Sequence, residues 1–213
     1  QKLYEAGLIT YMRTDAPSLS KESVDDARNY INSSIGEDYL YETPRIYSGT
    51  ENAQEAHEAI RPTSASVTAK DLDKATEEEV RLYELIWQQY IACQMKDAEY
   101  LSTSAKIILD QYTFTAKGRE VVFDGYTKIS NPSNKNQDDG ILPPLSENEE
   151  LSLENVIKEK KFTKPPARFS EAALVRELEK KGIGRPSTYA QIISTIQDRG
   201  YVEIQNRRFF VKK

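Results

Sequence analysis

The apolar residues of this chain change period twice, and that change constrains the fold more than any other feature. Between residues 18 and 96 they recur at helical spacing. Ser20 is placed to cap "KESVDDARNYINSSIG", where Val24, Ala27 and Ile31 share a face and Gly36 follows the end. Thr76, with Glu79 three residues on, forms a capping box ahead of "EEEVRLYELIWQQYIACQM". Leu82, Leu85, Ile86 and Trp87 of that segment are expected to make a broad buried stripe. From 98 to 157 β-branched and aromatic residues partly alternate, as in "YLSTSAKIILD", "YTFTAK" and "REVVFDGY". Lys117-Gly118 is the stronger hairpin-turn candidate and Asp110-Gln111 the weaker. "SNPSNKNQDDGILPPL" is polar loop, and "ELSLENVIKEKKF" reads as a further strand.

From 163 the helical period returns. Ser170 caps "EAALVRELEKK" and Gly182 stops it. Pro186 or Ser187 then opens a second helix with Ile192, Ile193 and Ile196 inward, closed by Gly200, and "YVEI" and "RRFFVKK" pair around Gln205-Asn206. The expected class is α+β, ending in two helices and a hairpin. That is a winged helix-turn-helix arrangement, in which the second helix usually meets nucleic acid.

The net charge of −5 argues against an anionic partner until it is divided. Residues 163–213 carry eleven Lys/Arg against five Asp/Glu, and residues 1–162 carry eighteen against twenty-nine. A basic segment on an acidic body therefore keeps a nucleic-acid partner open, beside the plain reading of a solvated face. No apolar run approaches the roughly 20 residues that span a bilayer. The single cysteine, Cys93, rules out an internal disulfide and a cysteine-based zinc cluster, and suits a reducing compartment.

Chemistry is concentrated near the start, in "GLITYMRTDAP". If this stretch is extended, Tyr11 and Arg13 point to one face, setting a phenol beside a guanidinium fork suited to phosphate oxygens. A phenol so placed is able to attack a phosphodiester and hold the strand as an ester. The plain alternative for any Tyr-x-Arg is packing plus a surface charge, and Tyr11 is one of thirteen tyrosines. His57, the lone histidine, lies in "AQEAHEAIRPT" with Glu55, Glu58 and Arg61 within about a helical turn of it; structural and phosphate-handling roles both stay open. Neither a metal-ligand spacing nor a phosphate-binding glycine loop is present, and "NQDDG" reads as a solvated turn.

"LYEAGLITYMRTD", "AQEAHEAIRPT" and "FTKPPARFSEAALVRELEKKGIGRPSTYAQIISTIQDRGYV" resemble, in order, the blocks of the type IA DNA topoisomerases, most of all the bacterial members. The resemblance implies that Tyr11 is the active-site tyrosine, that Arg13 helps place the scissile phosphate, and that His57 belongs to the active-site region. It implies that Arg185, Ser187, Thr188 and Arg199 belong to a single-stranded DNA groove. It further implies ATP-independent relaxation of negative supercoils in the bacterial cytoplasm, at the nucleoid, through a 5′-phosphotyrosine. The family commonly has serine after the RTD where this chain has Ala16-Pro17, which leaves the local loop geometry open.

On the family's template residues 1–96 form a helical tyrosine-bearing domain, 97–161 the returning half of a β-rich arch, and 162–213 part of a DNA-gate domain. The family's acidic metal-binding domain falls ahead of Tyr11, so an interior fragment is expected. No cofactor is expected in it, although magnesium is implied for the full-length enzyme, and no relaxation activity is expected of it alone. DNA is the expected partner, with no membrane and no small-molecule substrate, and the incomplete arch sheet suggests a strand-swapped dimer. A tyrosine recombinase or type IB enzyme fits poorly, because its tyrosine normally falls late. A non-enzymatic winged-helix DNA-binding protein leaves the first two blocks without a role.

Overall fold

A single helical turn, α1 (Lys2–Glu5), precedes the Tyr11 stretch, and Ser20 then opens α2 (Lys21–Tyr30), its side chain accepting from the Ser23 N–H. This computed structural model describes residues 1–47, 58–130 and 140–212. They fall into two units, Gln1–Glu150 and Leu151–Lys213. In the first unit α2 runs on into a π-helical turn, Ile31–Ile35, and ends at Gly36 with φ 132°. The Thr76–Glu79 capping box is formed in both directions and opens α3 (Glu77–Ala92). Val24, Ala27 and Ile31 are buried on one face as their spacing requires.

The buried face of α3 differs from the expected stripe. Leu82 and Leu85 are 50% and 64% exposed, whereas Tyr83, Tyr90 and Ile91 are buried. Each large aromatic goes inside because its polar tip finds a carbonyl. Tyr83 Oη donates to Val67 O, Trp87 Nε1 to Ala65 O and Tyr90 Oη to Ser23 O. Two clusters result, one around Ala27, Ile31, Ala65, Tyr90, Ile91 and Met95, the other around Leu3, Ile9, Leu72 and Tyr83. Trp87 packs against both. The second cluster matters for the site, because Ile9 lies two residues before Tyr11.

β1 (Glu99–Leu109) and β2 (Tyr112–Phe123) form a long antiparallel hairpin. Its turn is Asp110-Gln111, with Asp110 at φ 50°, not Lys117-Gly118. Gly118 pairs with Thr103 in mid-strand and is required there for another reason: a Cβ would lie 2.6 Å from Gly140 O. The glycine admits a crossing backbone, a contact between distant residues that mimics a turn signal in the sequence. The expected strand over "ELSLENVIKEKKF" does not form. Residues 149–170 carry neither helix nor strand, and among the described residues no chain pairs with them, so the backbone has no ladder to join.

The second unit contains α4 (Glu171–Lys180), α5 (Tyr189–Asp198) and a hairpin of β3 (Val202–Gln205) with β4 (Arg208–Val211). Ser170 caps α4, and Gly182 at φ 68° follows its end. α5 begins later than Pro186 or Ser187, because the Thr188 hydroxyl closes a turn by accepting from the Arg185 N–H at 2.9 Å. The final turn is Asn206-Arg207, one residue beyond the expected pair, and both residues take positive φ as a two-residue hairpin loop requires. Ile192, Ile193 and Ile196 are half-buried, and Phe209 supplies the buried aromatic. Phe209 N–H also donates to Phe169 O, drawing the lead into α4 alongside β4. Among the described residues no helix is long and apolar enough to cross a membrane.

Candidate active site

The chain from Thr10 to Ala16 alternates between covered and exposed residues. Thr10, Met12 and Thr14 are half-buried and Ala16 is buried, while Tyr11, Arg13 and Asp15 are exposed. The stretch is not a strand, since the backbone bends at Met12 and Arg13, but with Ile9 and Ala16 buried on either side the alternation of exposure still results. The tyrosine and the arginine therefore both face solvent from one short loop. The Tyr11 ring packs edge-on against Tyr4, with centroids 5.4 Å apart. Among the described residues its hydroxyl makes no hydrogen bond, in contrast to the buried phenols. Burial pushes Tyr83 up to about 12 and Tyr90 well above its ordinary value, and both donate to carbonyls.

Both flanks of the loop are held by the segment 58–63. Ile9 forms an isolated antiparallel bridge with Pro62. Thr10 N–H donates to Arg61 O at 2.9 Å, Arg61 N–H donates to Thr10 Oγ1 at 2.9 Å, and Thr10 Oγ1 donates to Ala59 O at 2.7 Å. Thr63 N–H reaches Leu8 O. On the far flank Ala59 N–H donates to Ser18 O at 2.8 Å, and Ser20 N–H donates to Glu58 Oε1 at 2.9 Å. Glu58 in turn takes the fork of Arg61, from Nε at 2.8 Å and from Nη2 at 3.0 Å. Neither residue stands in a helix, and sequence spacing alone gave no sign of this clamp.

Partial burial pushes the Glu58 carboxyl up, but the Arg61 fork, the Ser20 N–H and the Ser23 hydroxyl outweigh it, leaving the group below its ordinary 4.5. A depressed folded-state value means that the clamp's contribution is complete above about pH 4.5 and is lost as pH falls from there through the folded-state value. Thermal unfolding of the parent and of Glu58→Gln as a function of pH should therefore show a gap at neutral pH that closes on acidification. A gap independent of pH would show that the charge of Glu58 contributes nothing.

His57 lies outside the described residues. The other predicted positions belong to the second unit, where Arg185, Ser187, Thr188 and Arg199 are all exposed. Arg185, Ser187 and Thr188 gather ahead of α5, while Arg199 caps its far end. The ten residues between put the two groups roughly 15 Å apart along the helix. Gly184 at φ 79° lets this turn sit against α5, since a Cβ would meet Ile192 Cδ1 at 2.8 Å. The Arg185 guanidinium donates to the Gly184 carbonyl, which leaves most of its fork facing solvent.

Among the described residues no group of three or more His, Cys, Asp or Glu side chains is arranged to hold a metal ion.

The sequence profile of a family described as DNA topoisomerase matches residues 1–213. The chain is 56% identical to the DNA topoisomerase 1 of Pasteurella multocida and 55% identical to that of Vibrio cholerae, over all of its length and 24% of each of theirs. It is 52% identical to the DNA topoisomerase 1 of Escherichia coli over its whole length and 25% of that protein. It thus spans about a quarter of the length of the curated relatives it matches. Among solved structures it is similar to full-length topoisomerase I from Thermotoga maritima, with a TM-score of 0.79 and 35% identity over 96% of this chain and 32% of that one.

Proposed function

The chain belongs to the DNA topoisomerase family, and from that membership we propose that it carries the nucleophile of a type IA strand-cleavage reaction, Tyr11. The observation that carries this reading is the exposed Tyr11–Arg13 loop, clamped at both ends, within a match that runs the full length of the chain. Tyr11 Oη attacks a DNA phosphorus, the P–O3′ bond breaks, and the phenolic proton ends on the released 3′-hydroxyl. The product is a 5′-phosphotyrosine. Resealing is the reverse transfer, and it needs no ATP because one phosphate ester has been exchanged for another.

Arg13 offers its fork to the non-bridging oxygens of the scissile phosphate, where it also balances charge as the pentavalent state forms. His57 is assigned to the same phosphate environment. In the second unit the helix pair and hairpin act as a winged helix, with Arg185, Ser187, Thr188 and Arg199 along a single-stranded DNA groove. Strand passage and relaxation of negative supercoils belong to the longer, cytoplasmic and nucleoid-associated enzyme, in which magnesium is held elsewhere. Residues 1–213 alone are expected to lack relaxation activity. A purely DNA-binding role would explain the second unit but not the clamped loop.

Fluorescence anisotropy with a labelled single strand tests the DNA-binding half of this proposal. Binding should weaken steeply with salt, with a log–log slope near −0.7 per phosphate neutralised. Arg185→Ala and Arg199→Ala should each reduce that slope by about 0.7. A slope unchanged in both variants would remove these residues from the groove.

The β1–β2 hairpin is two-stranded among the described residues, and Leu101, Ile108 and Val122 on it are more than half exposed. Its open edges support strand exchange between copies at high concentration. Light scattering across a concentration series should then show a rising dimer fraction, and a monomer throughout would count against it.

A further inference from the structure

The loop that carries Tyr11 has little structure of its own. Among the described residues, the hydrogen bond made within Tyr11–Pro17 is Ala16 N–H to Thr14 Oγ1 at 3.1 Å. Its position is set from outside, and both outside anchors converge on one ion pair. Arg61 supplies the carbonyl and the N–H that hold Thr10, the residue just before Tyr11. Glu58 receives the Ser20 N–H beyond the far end, and Ala59 beside it holds Ser18. The two-pronged contact between the Glu58 carboxylate and the Arg61 guanidinium closes residues 58–61 into a rigid turn, which fixes the spacing between the anchors. Arg61 Nη1 also donates to Pro62 O at 2.9 Å, locking the guanidinium over the residue that bridges Ile9.

We infer that Glu58 and Arg61 are positioning residues for the Tyr11 nucleophile: neither touches the phosphate, and their ion pair sets where the Tyr11 hydroxyl meets it. The inference rests on the reading of Tyr11 as nucleophile. Misplacing a reacting atom by about 1 Å costs on the order of 100-fold in rate, so a loop freed at one end loses cleavage before it loses DNA. Lysine at position 61 keeps the charge but not the fork, so it should restore little.

Two measurements test this together. Amide hydrogen exchange on residues 1–213 reads the anchors directly. Thr10 and Ser20 should exchange at least about 10-fold faster in Glu58→Gln and Arg61→Lys, while the α3 amides keep their protection. Covalent capture of end-labelled single-stranded DNA is read in a chimera in which residues 1–213 replace the matching segment of the Escherichia coli relative. Capture at saturating DNA should fall about 10- to 100-fold in both variants, with apparent Kd within about twofold of the parent. Unchanged exchange at Thr10 and Ser20 would overturn the inference, because the pair would not hold the loop. Faster exchange with undiminished capture would also overturn it, because the anchors would then be structural only. A parent chimera that captures no DNA, or captures it equally without the Tyr11 hydroxyl, would remove the nucleophile reading, and the positioning role with it. The exchange result would still report on the clamp, so the two failures are distinguishable.

Discussion

Replacing Tyr11 with phenylalanine is expected to reduce covalent capture of DNA to background while leaving single-strand binding and folding unchanged. The substitution removes one atom, and the surroundings of that atom show why the effects separate so cleanly. Tyr11 is 43% exposed, and among the described residues its hydroxyl bonds to nothing, so no partner is left unsatisfied. The ring remains and keeps its edge-on contact with Tyr4. Stability should therefore move by no more than about 0.5 kcal/mol, the range of surface substitutions that touch no special feature. On the proposed mechanism Oη is nonetheless the atom that forms the bond to phosphorus, and phenylalanine has nothing to replace it. Capture is measured on the same chimera with end-labelled single strands, quenched in denaturant. Full capture by Tyr11→Phe would exclude Tyr11 as the nucleophile, and one of the other exposed tyrosines would have to take its place.

The largest expected effect on stability is at Tyr90. It is 3% exposed on α3 and packs among Ala27, Ile31, Ala65, Ile91 and Met95, with its hydroxyl donating to Ser23 O in the first turn of α2. Tyr90→Ala deletes the ring and the tie between the two helices, and should cost about 3–5 kcal/mol. Tyr90→Phe keeps the ring but loses the hydroxyl's hydrogen bond to Ser23 O, which still accepts within α2, for about 0.5–1.5 kcal/mol. Against a total of about 5–15 kcal/mol, the alanine variant is expected to be partly unfolded at 25 °C. Urea titration of the first unit's tryptophan signal reads both values, since Trp87 packs against the same cluster. An alanine variant within about 1 kcal/mol of the parent would contradict the packing described.

These two tyrosines show how far a sequence carries. The caps at Ser20, Thr76 and Ser170 and the helix ends at Gly36, Gly182 and Gly200 were legible because each signal and its partner lie within four residues. Local hydrogen bonds and glycine's access to positive φ need no knowledge of the rest of the chain. Tyr11 and Arg13 are both exposed as alternation implies, although the stretch bends at Met12 and Arg13 instead of running as a strand.

What failed to appear in the sequence involves residues far apart in it. Leucine looks more apolar than tyrosine, so Leu82 and Leu85 were expected inside; carbonyls of Ser23 and Val67 on other segments decided for Tyr90 and Tyr83 instead. Gly118 resembles a turn until Gly140 is seen crossing it. The apolar residues between 151 and 162 resemble a strand, but a strand needs a ladder, and that lies outside any local window. The clamp on the Tyr11 loop is the clearest case. Glu58 is 38 residues from Ser20, and Arg61 is 51 from Thr10, so no spacing rule joins them. The sequence by itself determined the helix caps and ends around the Tyr11 loop and the family to which the chain belongs. Tertiary structure alone decided what holds the Tyr11 loop in place, because the Arg61 backbone meets Thr10 and the Glu58 carboxylate meets Ser20 only after the chain has folded back on itself.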